Sequence, residues 1–245
     1  FVVGFFGITL IDSSNSAFGL LASEAFTLGS SPQLVVIPLF ILMGNVASIT
    51  GMSRRLYDAA YAIIGEFRGG LASATVIGCG GFAALSGSSV ASALTMGKVA
   101  LPELQRAGYS NALSTGSLAA GGTLGILIPP SIMLVVYGGL TGQKTSVGNL
   151  FAAAIMPGLL LSGLYLLYVG VRCFMNPKMG PPIPKEDRTA TVGQKIAMTM
   201  KNFVPPFGLI LTVMGTILAG IATPTEAGAL GATGAMVLSI LARRF

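Results

Sequence analysis

The chain has 245 residues, of which 53% are hydrophobic and 9% charged, and its mean hydropathy is +0.81. Soluble domains carry about 25% charged residues, so this composition excludes an ordinary water-soluble domain and indicates an integral membrane protein. The net charge of +6 comes from basic residues in a few loops between apolar segments, which is typical of membrane topology rather than of nucleic-acid binding.

The first two apolar segments lie at residues 1–21 and 34–49, and the polar patch 12–15 interrupts the first of them. We expect Asp12 in this patch to lie at the membrane interface. Asn45, within the second segment, either faces a cavity or hydrogen-bonds to another helix. Because the chain begins inside an apolar run and without Met, we expect it to be a fragment of a longer membrane protein.

Residues 53–68 predict a helix of a different kind. They carry Arg54, Arg55 and Asp58, together with apolar residues at helical spacing. Such an amphipathic helix is expected to lie in the membrane interface rather than to span the membrane.

Two short apolar segments follow, at residues 71–85 and 90–104. Each is about 22 Å long as a helix, which is less than the ~30 Å hydrocarbon core. The small residues Ser86, Gly87, Ser88 and Ser89 separate them. The pattern predicts a re-entrant hairpin with its tip at these four residues. We expect Lys98 and Glu103, near the other end of the second segment, to be surface or domain-boundary charges.

A broken helix is predicted next, with segments 111–127 and 131–140 on the two sides of Pro129 and Pro130. Proline has no N–H and clashes with the preceding turn, so carbonyl groups near residues 125 and 126 should be freed. Residues 147–174 then predict a long unbroken span.

The last part of the chain begins with a polar stretch, residues 176–202, which reads as a loop followed by a short amphipathic segment with Lys195 and Lys201. Two further spans are predicted at 203–221 and 227–241. Thr223 to Glu226 should cap the second of these. We interpret Glu226 as part of a helix start rather than as a proton relay.

The positions of the basic residues predict how these segments are oriented in the membrane. If the 177–202 loop is cytoplasmic, counting spans places most of the 14 basic residues on the same side, and Lys144 alone on the other. The open end of the hairpin, at residues 71 and 106, then also faces the cytoplasm. This predicts a multi-pass membrane protein.

The hairpin tip is the first candidate site. Ser86, Gly87, Ser88 and Ser89 supply hydroxyls and unpaired backbone groups, and the N-terminus of the returning helix attracts an anion such as a carboxylate. Carbonyls at the end of the first helix, with Ser86 and Ser88, are able to coordinate a hard cation such as Na⁺. The alternative is a small-residue packing face between helices.

The broken helix is the second candidate site. Gly121, Gly122, Thr123 and Gly125 precede the two prolines and are candidate Na⁺ ligands, with Thr123 offering a side-chain oxygen. Ser131, just past the break, is a further candidate for substrate binding. The alternative is a plain proline kink that aids helix packing.

With these residues in view, the chain resembles the large membrane subunit of the TRAP (tripartite ATP-independent periplasmic) transporters along nearly its whole length. The segments that carry the resemblance are 37–44 (Ile-Pro-Leu-Phe-Ile-Leu-Met-Gly), 82–89 (Phe-Ala-Ala-Leu-Ser-Gly-Ser-Ser), 121–131 (Gly-Gly-Thr-Leu-Gly-Ile-Leu-Ile-Pro-Pro-Ser), 142–158 and 223–227.

The resemblance implies an all-α, elevator-type carrier with inverted repeats, in which a transport domain slides against a scaffold. The implied divisions are scaffold helices 1–52, an interfacial arm 53–70, a transport domain 71–176 (hairpin 71–106, broken helix 110–140, helix 147–174), a cytoplasmic loop and amphipathic stretch 177–202, and the start of a second repeat 203–245. Family members are longer, with a second hairpin and a second broken helix, so this chain is expected to hold half of the site.

The resemblance also implies the activity, which is Na⁺-coupled uptake of a solute that bears a carboxylate, such as a dicarboxylate, a sugar acid or a keto acid. No enzyme activity and no cofactor besides the coupling ion is expected. The implied partners are a periplasmic solute-binding protein, a small four-helix membrane subunit and membrane lipid, and no nucleic acid. No phosphate-binding loop motif for ATP hydrolysis occurs in the sequence.

Other functions remain open from the residues. The nearest is a different ion-coupled carboxylate carrier with the same inverted repeats, and broken helices also line channels. An intramembrane serine hydrolase is disfavoured because the chain has no His to act as a base. Two cysteines, Cys79 and Cys173, do not suggest a zinc site or a disulfide framework.

Overall fold

The structure is a computed structural model that describes residues 2–30, 34–141, 145–182 and 192–241, without the side chains of residues 28, 192, 194 and 195. Within these ranges the secondary structure consists of eleven α-helices and one 3₁₀ turn, with no strand. The all-α class is therefore confirmed. Lys144, residues 183–191 of the predicted loop, Arg243 and Arg244 lie outside the described residues.

In chain order the helices are α1 (Val2–Ile11), α2 (Ser14–Gly29), α3 (Val36–Ile49), α4 (Met52–Ile64), α5 (Gly70–Ser86), α6 (Ser89–Arg106), α7 (Asn111–Thr123), α8 (Ile132–Leu140), α9 (Val147–Met175), α10 (Val192–Leu218) and α11 (Pro224–Leu241). The 3₁₀ turn, Leu124–Ile126, lies between α7 and α8. Breaks in the helices thus occur near Asp12, at the predicted hairpin tip, and before the two prolines.

Two helices in the described ranges are long and apolar enough to cross a membrane, Val147–Met175 and Ile196–Leu218. A third crossing is possible if α3 and α4, which meet at 65°, form one bent span. Most leucines of α9 are exposed, including Leu159, Leu160 and Leu167. An apolar surface of this kind is stable against lipid or against further protein, and it is consistent with a polytopic membrane protein.

Helix α5 forms the centre of the structure. It packs against α3, α4, α6, α7 and α9, and most of its residues are buried. A helix that is apolar on all sides suits this position, because no face of it has to meet polar surroundings. Its glycines and alanines let neighbours approach closely; a Cβ added at Gly78, for example, would lie 2.6 Å from Met96 Cε. The C-terminus of this buried helix carries the predicted hairpin tip.

The open end of the hairpin contacts helix α4, the predicted arm. Arg54 on α4 lies 3.5 Å from the Glu103 carboxylate on α6, and Arg106 lies 3.6 Å from the same oxygen. Lys98 is exposed on α6. Glu103 is therefore located at the boundary between the arm and the hairpin.

Helix α10 differs from the sequence-based division at residue 203. The predicted amphipathic stretch and the following span form one helix from Val192 to Leu218, which continues through Pro205 and Pro206. Phe203 and Phe207, one turn apart, stack with ring centroids 4.7 Å apart on the two sides of the proline pair. The change from polar to apolar residues near residue 203 therefore lies within a helix rather than at its start.

The predicted cap of α11 is confirmed. The N–H and the hydroxyl of Thr223 both donate to the Glu226 carboxylate at 2.8 Å, and the Glu226 N–H donates to the Thr223 hydroxyl at 3.4 Å. This reciprocal arrangement is a capping box. It supports the interpretation of Glu226 as part of a helix start.

The capping box predicts a shifted titration of Glu226. The backbone N–H and the hydroxyl of Thr223 hold the pKa of this carboxyl below its usual value. Its contribution to the cap is therefore complete above the ordinary glutamate pKa and is lost as the pH falls through the lowered one. Thr223→Val should raise the pKa of Glu226 in an NMR titration, whereas Thr225→Val should leave it unchanged. An unaltered pKa in Thr223→Val would contradict the assignment.

Candidate functional site

The hairpin tip is a two-residue connection between the buried helix α5 and helix α6, which is buried on one face. Helix α5 ends at Ser86, Gly87 has a left-handed backbone with φ 60°, and Ser88 is extended before α6 begins at Ser89. Glycine adopts the left-handed conformation without steric cost, which explains its place in the turn. The turn brings the carbonyl end of α5 and the N–H end of α6 to the same point.

The serines of the tip differ in their surroundings. The Ser86 hydroxyl is buried and lies 2.9 Å from the hydroxyl of Ser92, one turn into α6. Ser88 caps α6, because its hydroxyl accepts from the Ala91 N–H at 3.4 Å. Ser88 and Ser89 are partly exposed. Ser86 therefore joins the two helices internally, whereas Ser88 and Ser89 remain accessible to a ligand.

The broken helix is held in its unwound form by its own side chains. After α7 and the 3₁₀ turn, the chain is irregular until α8 begins at Ile132. Ser131 is fully buried, and its hydroxyl donates to the Ile126 carbonyl at 2.9 Å. This carbonyl is one of those that the two prolines were predicted to free. The structure thus gives Ser131 an internal partner across the break.

The hairpin tip and the unwound segment are in direct contact through their backbones. The Ile132 N–H donates to the Gly87 carbonyl at 3.1 Å. A Cβ added at Gly125 would lie 2.7 Å from the Ser88 carbonyl, and one added at Gly87 would lie 2.8 Å from the Pro130 carbonyl oxygen. Two breaks that are about forty residues apart in sequence therefore form one site, which we call the double break (residues 86–89 and 124–131).

Helix α3 forms a third wall of the double break. A Cβ added at Gly44 would lie 2.8 Å from the Ser86 Cα, and the Ser48 and Thr95 hydroxyls lie 3.4 Å apart between α3 and α6. Gly44 is not among the residues predicted from the sequence for the site. The available signal was a glycine followed by Asn45 in an apolar helix. Asn45 itself is exposed.

The other predicted ligands of the broken helix separate into two groups. Added Cβ atoms at Gly121 and Gly122 would lie 2.9 Å from Cys79 Cβ and 2.8 Å from Ala93 Cβ, so these glycines are the packing positions of α7 against the hairpin. Thr123 faces α9 instead, where its hydroxyl lies 3.0 Å from the Tyr165 hydroxyl. Tyr165 is not among the residues predicted from the sequence for the site.

The oxygen atoms of the double break are hydroxyls and backbone carbonyls. In the described part of the chain, no group of three or more His, Cys, Asp or Glu residues is arranged to hold a metal ion. Neutral oxygens suit a hard, weakly bound monovalent cation better than zinc or a transition metal. The N-terminal N–H groups of α6 at the same point favour an anion.

Comparison with known proteins gives one consistent result. The family model described as "Tripartite ATP-independent periplasmic transporter, DctM component" matches residues 2–245. Two proteins named C4-dicarboxylate TRAP transporter large permease protein DctM, from Pseudomonas aeruginosa and Vibrio cholerae, are each 41% identical to the chain. These matches cover 92% and 86% of the chain, and 51% and 46% of the relatives.

A further relative is named for a different substrate. The Isethionate TRAP transporter permease protein DctMQ of Oleidesulfovibrio alaskensis is 34% identical over 96% of the chain, and the match covers 36% of that protein. The chain spans about half the length of the two DctM relatives.

The close backbone contact predicts that Gly125 tolerates no side chain. Gly125→Ala places a methyl group 2.7 Å from the backbone of Ser88 and Ser89, so one of the two segments has to move. We expect a loss of about 1–3 kcal/mol in stability, which is typical of overpacking. The melting temperature of the purified full-length protein measures this effect.

Gly163→Ala on α9 is the matched control, because a Cβ there meets no atom within 4 Å. It should be neutral or slightly stabilising, since alanine is the better helix former. Equal melting temperatures for the two variants would show that the double break is not closely packed in the full-length protein.

Proposed function

The chain belongs to the DctM component family of the tripartite ATP-independent periplasmic transporters, and on that premise we propose that it forms about half of the membrane subunit of a secondary transporter. The family is one of transporter membrane subunits rather than of enzymes. The proposed activity is Na⁺-coupled uptake of a solute that bears a carboxylate. The observation that carries the proposal is the double break, where two interrupted helices share one buried contact.

The anion is proposed to bind at the N-terminus of α6. Ser88 caps this 18-residue helix and Ser89 is its first residue, and both are partly exposed. The N–H groups of Ser89 and Val90 lack acceptors within the helix, and the helix dipole favours negative charge there. Gly87 lets the chain turn at this point, and Ser131 lies behind it in the unwound segment. A carboxylate accepts several hydrogen bonds at once, which suits this arrangement of donors.

Sodium is proposed to bind on the carbonyl side of the same turn. The last carbonyls of α5 and the Ser86 and Ser88 hydroxyls are oxygen ligands of the kind that Na⁺ takes. Gly121, Gly122 and Gly125 would contribute backbone oxygens from the neighbouring segment. Thr123 is the weakest candidate, because its hydroxyl bonds to Tyr165. Placing a cation beside the anion lowers the cost of burying both.

An elevator arrangement is proposed for the movement. Residues 71–176 form the transport domain, residues 1–52 the scaffold helices and residues 53–70 the arm, while 203–245 begin a second, inverted repeat. The pair between Arg54 and Glu103 crosses from arm to transport domain, and the Arg54 side chain is 61% exposed. Exposed pairs contribute about 0–1 kcal/mol, so this contact is weak enough to break and reform as the domain slides.

The proposed assembly is that of a tripartite system in the bacterial inner membrane. A periplasmic binding protein delivers the solute, and a small four-helix subunit packs against the scaffold. The hairpin opening at residues 71 and 106 and the loop 177–202 face the cytoplasm. The substrates in the names of the relatives, C4-dicarboxylates, ectoine and isethionate, each carry a carboxylate or a sulfonate group, which supports a solute with an anionic group for this chain.

Uptake is predicted to follow the sodium gradient. Proteoliposomes that contain the full-length protein with its small subunit, supplied with loaded binding protein, should accumulate solute when Na⁺ is higher outside. Collapsing the gradient should stop accumulation, and adding ATP should have no effect. Accumulation that persists after Na⁺ is replaced by K⁺ would rule out the coupling, and fast flux down the solute gradient without any coupling would indicate a channel.

Ser88→Ala is predicted to weaken sodium activation of uptake. Removal of one oxygen ligand from a charged group costs about 1.5–3 kcal/mol, which is a shift of roughly tenfold or more in the half-saturating Na⁺ concentration. Ser162→Ala on α9 is the control, because that hydroxyl donates to the Gly158 carbonyl of its own helix at 2.8 Å. Identical Na⁺ dependence in both variants would remove Ser88 from the ion site.

A further inference from the structure

A cleft lies between α7 and α9, on the side of α7 that faces Tyr165. It has a volume of about 260 Å³ and is walled by α7, α9 and Val76 of α5. Along α7 it extends from Ala112 to Ala120, about 12 Å at 1.5 Å per residue. The lining is mostly apolar, and the one charged residue among the lining side chains that the structure describes is Arg172, at its end.

The charged end of the cleft is built from several elements. Arg172 is exposed in the last turn of α9, and Ala112 lies in the first turn of α7. The segment after α9 closes this end, because the Ser110 N–H donates to the Met179 carbonyl at 3.0 Å. Lys178, the residue before the lining residue Met179, is exposed. The arrangement is fixed at the point where Arg172 meets the start of α7.

Three features at this end favour an anion. Arg172 provides a positive charge and planar N–H donors that suit phosphate oxygens. The N–H of Leu113 is taken by the Ser110 hydroxyl, but those of Asn111 and Ala112 have no acceptor within the helix. No acidic residue lines the cleft within the described ranges. The remainder of the cleft, towards Ala120, offers apolar walls to a hydrocarbon chain.

We propose that this cleft binds one anionic phospholipid, with its phosphate at Arg172 and the first part of an acyl chain along α7. An apolar space far larger than the ~30 Å³ share of one water molecule is better filled by hydrocarbon than by water. The pairing of one cationic end with an apolar groove is complementary to a lipid and not to a free phosphate. The inference rests on the membrane location in the proposed function but not on transport.

The cleft lies next to the double break, because its lining residues Val76 and Tyr165 pack in one cluster with Leu124. Tyr165 lines the cleft and its hydroxyl lies 3.0 Å from that of Thr123, the last residue of α7 before the 3₁₀ turn. A lipid chain in the cleft therefore packs against the side chain that holds the end of α7. The bound lipid stabilises the position of the broken helix relative to α9.

Gly116 allows the cleft to be filled without disturbing the fold. It lies at mid-length of α7 and lines the cleft, and an added Cβ meets no atom within 4 Å. Gly116→Leu should therefore occupy the cleft, and leucine is a better helix former than glycine. Gly163→Leu on α9 is the matched control, because its added Cβ also meets nothing within 4 Å and it does not line the cleft.

The experiment uses the delipidated full-length protein with its small subunit. Native mass spectrometry counts bound phosphatidylglycerol and phosphatidylcholine with identical acyl chains at equal concentrations. The unmodified protein and the Gly163→Leu variant should bind one phosphatidylglycerol in preference to phosphatidylcholine. The Gly116→Leu variant should not bind it. Arg172→Gln should reduce the preference roughly fivefold, the effect of one cation near an anionic lipid. Lys98→Gln, at an exposed lysine away from the cleft, should not.

Three results would overturn the proposal. One is equal phosphatidylglycerol binding by Gly116→Leu and Gly163→Leu. Another is an unchanged preference for phosphatidylglycerol in Arg172→Gln. This measurement tests the proposal even if Gly116→Leu does not fold. A third is the absence of any retained lipid in the unmodified protein, the result expected if the rest of the full-length chain fills the cleft. None of these measurements depends on uptake, so they leave the transport proposal to its own tests.

Discussion

The backbone groups that two interrupted helices leave without partners determine the rest of this structure. A helix that stops inside an apolar protein exposes N–H and carbonyl groups that lipid is unable to satisfy. Here each break supplies part of what the other lacks, since the Ile132 N–H donates to the Gly87 carbonyl. The Ser131 hydroxyl donates a hydrogen bond to the Ile126 carbonyl, and the Ser88 hydroxyl caps α6. Donors at the start of α6 are left over, and these are the groups a solute would use.

Such mutual satisfaction requires the backbones to approach more closely than side chains would permit. Gly44, Gly87 and Gly125 stand at three close approaches around the double break, where an added Cβ would lie 2.7–2.8 Å from backbone atoms. The small residues that suggested a binding site in the sequence thus also serve packing. The two interpretations do not compete, because close backbone packing is what positions the unsatisfied groups of the tip.

The sequence predicts the breaks better than it predicts the side chains around them. Gly87 and the proline pair mark the interruptions because both act locally on the backbone. The direction of Thr123 depends on the rotation of α7 against α9, and Gly44 enters the site only through the packing of α3. Neither is encoded in a local pattern. Similarly, the change from polar to apolar residues near residue 203 suggested a new helix there, but α10 runs without interruption from Val192 to Leu218.

Helix α7 connects the two regions on which the proposals depend. One side of it, with Gly121 and Gly122, packs against the hairpin, while the other lines the cleft beside α9. Because the helix ends at Thr123 and its hydroxyl bonds to Tyr165, a change in the spacing of α7 and α9 alters the geometry at the start of the unwound segment. The proposed lipid binding on one face and the proposed solute binding on the other would therefore be linked through the position of a single short helix.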